Sequence, residues 1–311
     1  MHQFDESTDP GILVTIVIPA YNYAKSLRRA AVSVIAQLEK RSELIIIDDG
    51  STDDTPSVID QLVSEYPESF RSIRQANAGL AAVRNKGLDV AKGCYLIFLD
   101  ADDEMVPGAL SALLDHIEKN PTSQLIIGGH ISVHQDGREV EHLPDLLPNT
   151  HFDRVRSYLI DKTLRVSNGA CAMRKDVFYY GRYPERFRST EDIPVFAQVF
   201  NHCICTRLNR PVARIYKHDD SMRHDVAASV RVGDELIAEV FDSGRLSKEM
   251  QPLRKPFTAQ RYLSLFRTCV SAGDTQLARR FYRQALASDW RAIFRVSYTR
   301  KALRLWLKAE K

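Results

Sequence analysis

Residues 95–103 read YLIFLDADD, an apolar run that ends abruptly in three carboxylates. A short run of this kind, without a polar residue at every second position, predicts a strand that is buried on both faces. Two similar runs lie upstream, at residues 12–18 (ILVTIVI) and 43–47 (ELIII). Each of them is also followed by polar residues. The chain therefore contains at least three buried strands with chemistry-bearing side chains directly after them.

Segments with helical periodicity separate these runs, at residues 26–37, 55–64, 79–91 and 107–119. Buried strands that alternate with amphipathic helices predict an α/β fold, in which a mostly parallel sheet is covered by helices on both faces. Ligands of such sheets bind beyond the carboxyl ends of the strands. The polar residues after the three strands are therefore expected to meet at one edge of the sheet.

Composition excludes several classes of protein. Apolar residues make up 44% of the 311 residues and charged residues 27%, which is typical of a globular chain. The formal net charge of +3 is too small to indicate nucleic-acid binding. Five cysteines without a regular spacing predict core residues rather than a disulfide scaffold. No apolar stretch approaches the roughly eighteen residues of a membrane span, so we expect a cytoplasmic protein.

Alternating carboxylates after a buried strand can hold a metal ion. The side chains of Asp100, Asp102 and Asp103 offer hard oxygen ligands to a divalent cation such as Mn²⁺ or Mg²⁺, which could bridge the phosphates of a nucleotide. A solvated acidic turn is the alternative interpretation. The position beside two other polar strand ends favours the metal site.

Four segments in a fixed order resemble the family 2 glycosyltransferases of the GT-A fold. They are VTIVIPAYN (14–22), IIDDGSTD (46–53), NAGLAAVRN (77–85) and FLDADD (98–103). The resemblance is strong over residues 12–130, weaker to about 224, and does not cover the C-terminal segment. It implies a catalytic domain over 1–224, followed over 225–311 by a helical region with a basic amphipathic end.

The resemblance also implies a reaction. A hexose or amino sugar would move from a nucleoside diphosphate sugar, expected to be a UDP sugar, to the hydroxyl of a glycan or lipid-linked glycan. The configuration of the sugar would be inverted. The expected setting is the assembly of bacterial surface polysaccharide, lipopolysaccharide or glycoconjugates.

The family pattern assigns donor-binding roles by position. The nucleotide-sugar-binding residues it implies are Pro19, Ala20, Tyr21, Asp49, Gly79, Arg84, Asp100, Ala101 and Ser221. Asp49 would accept a hydrogen bond from the uracil ring nitrogen, and this residue is the main reason to expect UDP. Asp102 and His218 would be the metal ligands, the histidine by its place in the segment YKHDDSMR (216–223).

An acidic pair, Glu191-Asp192, matches the catalytic position of the family. The resemblance implies that Asp192 is the general base and that Glu191 is either an acceptor-side or a supporting residue. A carboxylate suits this role because the acceptor hydroxyl becomes acidic only as it attacks. An acidic pair at a helix N-terminus, favoured by the helix dipole, is the alternative. Residues 168–170 (NGA) form either an acceptor-facing loop or a plain turn.

The C-terminal segment 290–311 carries seven Lys or Arg against one Glu, interleaved with apolar residues. Two interpretations remain. The segment lies in an anionic membrane interface on the inner face of the membrane, as suits a lipid-linked acceptor. Alternatively, it is a helix that packs its apolar side on the protein, which we favour. Nucleic-acid binding fits less well, because no other basic patch supports it.

Three other functions fit the sequence less well. A nucleotidyltransferase is expected to carry a glycine-rich basic loop after the first strand, where this chain has Pro19-Ala20-Tyr21-Asn22. A dehydrogenase would carry G-x-G-x-x-G there. A catalytically inactive, glycosyltransferase-like binding or scaffold protein is the remaining alternative. A protein that has lost its catalytic activity would be expected to have lost at least one of the site residues. All four of Asp49, Asp102, Asp192 and His218 are present.

Overall fold

The computed structural model of the protein describes residues 11–217 and 233–307. The strands in these ranges are β1 (Val14–Ala20), β2 (Ser42–Asp48), β3 (Arg71–Arg74), β4 (Tyr95–Phe98), β5 (Glu104–Met105), β6 (Leu125–Val133), β7 (Glu139–His142), β8 (Cys171–Arg174) and β9 (Cys205–Tyr216). The α-helices are α1 (Leu27–Ile35), α2 (Thr55–Glu65), α3 (Leu80–Val90), α4 (Ala109–Lys119), α5 (His151–Arg156), α6 (Asp192–His202), α7 (Gly233–Phe241), α8 (Arg254–Ser271), α9 (Thr275–Ser288) and α10 (Val296–Leu307).

The strands form one sheet in the order β3-β2-β1-β4-β8-β6-β9-β5, with β7 paired to β6. Strands β1 to β4 are parallel to one another, as the sequence predicts. Strand β8 runs antiparallel to both β4 and β6, whereas β6 and β9 are parallel. The predicted α/β class is confirmed, with an antiparallel strand joining its two parallel parts.

The register of the parallel strands positions the polar residues. Ala20 at the end of β1 pairs with Asp48, and Asp48 pairs with Arg74 at the end of β3. The ends of these three strands therefore lie side by side. All seven residues of β1 are buried, which explains its continuous apolar sequence.

Helix α1 shows how the periodic segments cover this sheet. Its buried residues are Leu27, Ala30, Ala31 and Val34. Their spacing of three, one and three residues places them on one side of the helix. They pack in the same apolar core as β1, β2 and β4.

The described residues divide into two compact units. The first comprises 11–147, 165–195 and 203–217, and the second comprises 148–164, 196–202 and 233–307. The predicted domain boundary at residue 224 lies outside the described residues. Residues 233–307 are mostly helical.

The second unit has its own apolar core, formed largely by α8 and α9. Helix α10 contributes Ala302, which is 1% exposed, and the half-buried Tyr298, Leu305 and Trp306. Over the described residues, one side of α10 therefore packs on the protein. No helix in the described ranges has the length and apolar content to cross a membrane.

The cysteines follow the prediction of core residues. All five are free thiols, and only Cys94 is partly exposed. Cys203 and Cys205 lie close together at the start of β9, where the Cys205 Sγ is 3.6 Å from the carbonyl oxygen of Cys203.

Candidate active site

Asp49, the residue after β2, lies in a ring of hydrogen-bond donors. Its carboxylate is 3% exposed. The Oδ1 atom accepts from the Gln75 side-chain amide at 2.8 Å and from the Ala78 backbone N–H at 2.9 Å, and Oδ2 accepts from the Gly79 N–H at 2.8 Å. An ionised carboxylate has about four acceptor positions, so one remains for a ligand.

Two glycines let the loop 75–79 approach Asp49. Gly50 has φ +72°, and a Cβ atom on it would lie 2.9 Å from the backbone nitrogen of Asn77. Gly79 has φ +93°, and its Cβ atom would lie 2.8 Å from the Nη1 atom of Arg188. Any other residue would strain the backbone at both places, and at Gly50 it would also collide with the backbone of Asn77, whereas at Gly79 it would displace the tip of the Arg188 side chain. The positive φ angles therefore explain why glycine follows Asp49 and Ala78 in the sequence.

The turn after β1 is tied to the loop after β2. Pro19 and Ala20 are buried at the end of the strand, whereas Tyr21 is 45% exposed. Asn22 adopts φ +60°, and its side-chain oxygen accepts from the Thr52 N–H at 2.8 Å. The three residues predicted to line the nucleotide thus lead into a fixed turn with one exposed aromatic ring.

The acidic turn after β4 divides into exposed and buried carboxylates. The Asp100 side chain is 40% exposed, and Asp102 is half-buried with its carbonyl oxygen 2.5 Å from an Arg29 nitrogen. Asp103 is 4% exposed and accepts from the Tyr216 N–H at 3.0 Å. Burial, reinforced by the charges of Asp100 and Asp102, raises the pKa of Asp103 to about 8. Asp103 therefore fixes the end of β9 to the acidic turn.

Arg84 joins two of the predicted motifs inside the protein. Its side chain is 4% exposed, with Nη1 2.5 Å from Glu191 Oε1 and Nη2 3.4 Å from Asp100 Oδ1. Its guanidinium carbon lies 5.4 Å from the ring centre of Tyr183. Burial alone would lower the pKa of Arg84, but the two carboxylates outweigh it and raise the pKa. The arginine therefore stays charged between the acidic turn and the segment that begins α6.

The two residues of the acidic pair differ in environment. Glu191 is 5% exposed, and burial raises its pKa, opposed by Arg84 and reinforced by Asp192. Asp192 is half-buried and is the first residue of α6. Thr190, just before them, has φ +67°. Glu191 is thus turned to Arg84, while Asp192 retains contact with solvent at the start of the helix, where the dipole favours a carboxylate.

Part of the predicted site lies outside the described residues, namely His218 and Ser221. Strand β9 ends at Tyr216, which is bonded to Asp103 of the acidic turn. Within 11–217 and 233–307, no group of three or more His, Cys, Asp or Glu side chains is arranged to hold a metal ion.

Comparison with known proteins identifies the family. The family model of Glycosyl transferase family 2 matches residues 15–181, which include the carboxylates of the acidic turn, Asp49 and Arg84 but end before Tyr183 and the acidic pair. The chain belongs to glycosyl transferase family 2.

Curated members of the family match only in part. An uncharacterized glycosyltransferase of Nostoc sp. is 41% identical over 102 residues, which are 33% of this chain and 32% of that protein. The matched segment therefore spans about a third of the relative's length.

Solved structures of glycosyltransferases share the fold. The mannosyltransferase PcManGT from Pyrobaculum calidifontis, solved with GDP-Man and Mn²⁺, superposes with a TM-score of 0.57 at 15% identity, over 96% of this chain and 86% of that one. TarS 1–349 of S. aureus, solved with UDP-GlcNAc, gives 0.53 at 16% identity, over 88% and 91%. The GT-A fold expected from the sequence is confirmed.

Three residues of this family 2 site were not predicted from the sequence. Gln75 holds Asp49, Arg188 lies against Gly79, and Tyr183 lies beside Arg84 with its hydroxyl donating to Asn168 Oδ1 at 2.9 Å. Tyr183 and Arg188 come from the segment before the acidic pair, about 100 residues after their partners. No motif in the sequence points to these three residues. Of their partners in this paragraph, Asn168 lies in the segment 168–170, which was predicted as a loop or turn.

Proposed function

We propose that the protein is an inverting glycosyltransferase that moves a hexose or amino sugar from a nucleoside diphosphate sugar to a hydroxyl of a glycan or lipid-linked glycan. The setting we infer is the assembly of bacterial surface polysaccharide, lipopolysaccharide or glycoconjugates. The observation that carries the proposal is the buried contact of Arg84 with both Glu191 and Asp100. This contact links the acidic turn, expected at the donor diphosphate, to the residue directly before the expected general base, which supports the proposal.

The donor we favour is a UDP sugar. Asp49 keeps one acceptor position beyond its three N–H donors, which suits the ring N–H of uracil. Of the two solved relatives by fold, one is described with UDP-GlcNAc and the other with GDP-Man. Their likeness supports a nucleotide-sugar donor in general, and the choice of uridine rests on Asp49.

A divalent ion, Mn²⁺ or Mg²⁺, fits the oxygen chemistry of the acidic turn. Asp102 and His218 would hold it. Such an ion neutralises charge on the leaving diphosphate. The half-buried position of Asp102 leaves its carboxylate within reach of solvent and ligand.

Asp192 would remove the acceptor proton. The acceptor oxygen attacks the anomeric carbon, the new C–O bond forms as the bond to the diphosphate breaks, and the proton passes to the Asp192 carboxylate. Attack opposite the leaving group inverts the configuration. Glu191 is buried against Arg84, so its role is to hold Arg84 and the start of α6 in place rather than to touch the acceptor.

Replacing Asp192 tests the assignment. We expect Asp192→Asn to lower the transfer rate by about 10²–10⁴-fold, because general-base catalysis is lost, while nucleotide binding is unchanged. The rate is measured as sugar transferred to whichever acceptor of a panel supports the wild-type enzyme.

Asp54→Asn is the matched control, since Asp54 is an exposed carboxylate at the start of α2. It should leave the transfer rate unchanged. If Asp192→Asn also kept the wild-type rate, Asp192 would be only a carboxylate favoured by a helix dipole, and the proposed mechanism would be wrong.

A further inference from the structure

Two aromatic side chains in the second unit lie outside its apolar core. Trp290 is 66% exposed and Phe294 is 68% exposed, with ring centres 5.7 Å apart in an edge-to-face arrangement. Five of the twelve exposed large apolar residues among those described fall within residues 290–303. Scattered exposed apolar residues are normal, but a concentration of this kind marks an interaction surface.

Basic residues are also exposed in this segment. Arg300, Lys301 and Arg304 are exposed on α10, on the same part of the helix as the exposed Val296 and Leu303. Residues 290–307 contain five Lys or Arg and no Asp or Glu. We refer to the exposed side chains of residues 290–304 as the aromatic–basic patch.

Packing within the unit does not account for the patch. The inward side of α10 is already satisfied by Tyr298, Ala302 and Trp306, which join the core of α8 and α9. The Trp306 ring lies 5.8 Å from that of Tyr282. The apolar residues of the patch are therefore left over after the helix has packed.

Two of the basic residues have partners of their own. Arg291 pairs with Asp289 at 2.9 Å, and Arg295 lies 3.6 Å from Asp161. The positive charge that the patch offers to a partner comes mainly from the three exposed residues on α10. That charge and the exposed aromatic rings belong to the same segment, residues 290–304, which suits a partner that is both anionic and apolar.

We propose that the aromatic–basic patch docks on the surface of an anionic lipid bilayer. The rings of Trp290 and Phe294 enter the headgroup region, where amphipathic aromatic side chains are favoured, and the basic residues of α10 contact lipid phosphates. A bilayer supplies both properties at one surface. This inference goes beyond the proposed reaction and does not depend on it.

Tryptophan fluorescence tests the contact directly, because Trp290 and Trp306 are the two tryptophans of the chain. In Trp306→Phe, Trp290 is the single reporter. We expect its emission to shift to the blue when vesicles of phosphatidylcholine with phosphatidylglycerol are added, but not with phosphatidylcholine alone. In the matched variant Trp290→Phe, the packed Trp306 should show no shift. Unchanged emission of Trp290 with anionic vesicles would overturn the proposal.

Vesicle sedimentation measures the strength of the contact. Trp290→Ser with Phe294→Ser should weaken binding to the anionic vesicles by about tenfold or more, because the buried apolar area is lost. Arg300→Gln with Lys301→Gln should weaken binding about fivefold for each charge removed. Circular dichroism establishes that each variant is folded.

A second exposed aromatic pair serves as the control. Tyr179 and Tyr180 are 63% and 40% exposed, with ring centres 5.4 Å apart, but belong to the first unit. Changing both to Ser should leave vesicle binding unchanged. If the patch variants instead converted a dimer to a monomer by light scattering, and no form bound vesicles, the patch would be a contact between copies of the chain and the bilayer proposal would be wrong.

Discussion

Arg84 is the residue on which the geometry of the candidate site most depends. It is buried, and it reaches Glu191 with one nitrogen and Asp100 with another. Removing it would leave Glu191 as a buried carboxylate without its cation. The pKa of Glu191 is already raised, first by burial, so the loss of Arg84 should favour its protonated form further.

We expect Arg84→Met to lower the free energy of unfolding by about 3–5 kcal/mol, because it breaks a buried ion pair and leaves one charge behind. The measurement is urea denaturation at neutral pH. The double variant Arg84→Met with Glu191→Met should recover part of the loss, since no buried charge remains.

A surface ion pair of almost the same length is the control. The Arg28–Glu65 pair is 2.6 Å long, against 2.5 Å for Arg84–Glu191, but its side chains are 40% and 49% exposed. Arg28→Met should leave the denaturation midpoint nearly unchanged. If Arg84→Met and Arg28→Met lowered the free energy of unfolding equally, burial of the Arg84–Glu191 pair would not contribute to stability.

At the residue scale, the carboxylates could be predicted and their partners could not. Asp49, Asp102 and Asp192 stand out because each follows a strand or begins a helix in a recognisable motif. The contact of Arg84 with Glu191 joins residues 107 positions apart. No local pattern encodes such a pairing, which arises only when the sheet brings the two segments together.

The hairpin of β6 and β7 carries two stacked histidines. His130 and His142 are register partners, with ring centres 4.8 Å apart. Burial, with the charges of His142, Lys217 and Arg165, lowers the pKa of His130 to about 4. Its usual value is about 6.5 in the unfolded chain. The unfolded state therefore binds this proton at a higher pH than the folded state does.

The sign of the effect follows from this difference. The contribution of His130 is fully favourable above pH 6.5, is lost as the pH falls from about 6.5 to about 4, and is constant below that. His130→Gln should reduce the loss of thermal stability between pH 7 and pH 5. Thermal unfolding at both pH values checks this, and an unchanged difference between them would contradict it.

The strands show which elements a sequence reveals. Strands β1, β2 and β4 are buried on both faces and were predicted from their continuous apolar runs. Strand β9 was not predicted, since it spans Cys205–Tyr216 with polar residues and a proline, and much of it is only half-buried. Its pairing with β6 also shifts register around Gly128 and Gly129. A strand with such irregular pairing shows no regular alternation of apolar and polar residues in the sequence.

At the scale of the whole molecule, the two units carry separate proposals. The first holds the carboxylates of the candidate site, and the second holds the aromatic–basic patch. The sequence indicated a basic amphipathic end, but not which residues would be exposed. Leu305 and Trp306 pack inward, whereas Trp290 and Phe294, four residues apart, remain outside. That choice is made by the neighbouring helices, which a single-segment pattern does not describe.

The most direct test of the central claim is nucleotide binding by calorimetry. Purified protein is titrated with UDP, GDP, dTDP and CDP in the presence of Mn²⁺, and then with a chelator. We predict that UDP binds in the presence of Mn²⁺. Asp49→Asn should weaken UDP binding by about tenfold or more, because the NH₂ group that replaces one carboxylate oxygen donates hydrogen bonds and cannot accept one from the uracil N–H. Asp48→Asn, a buried neighbour at 1% exposure, is the matched control and should retain binding. Folded wild-type protein that binds no nucleotide, or Asp49→Asn that binds UDP as well as wild type, would contradict the account.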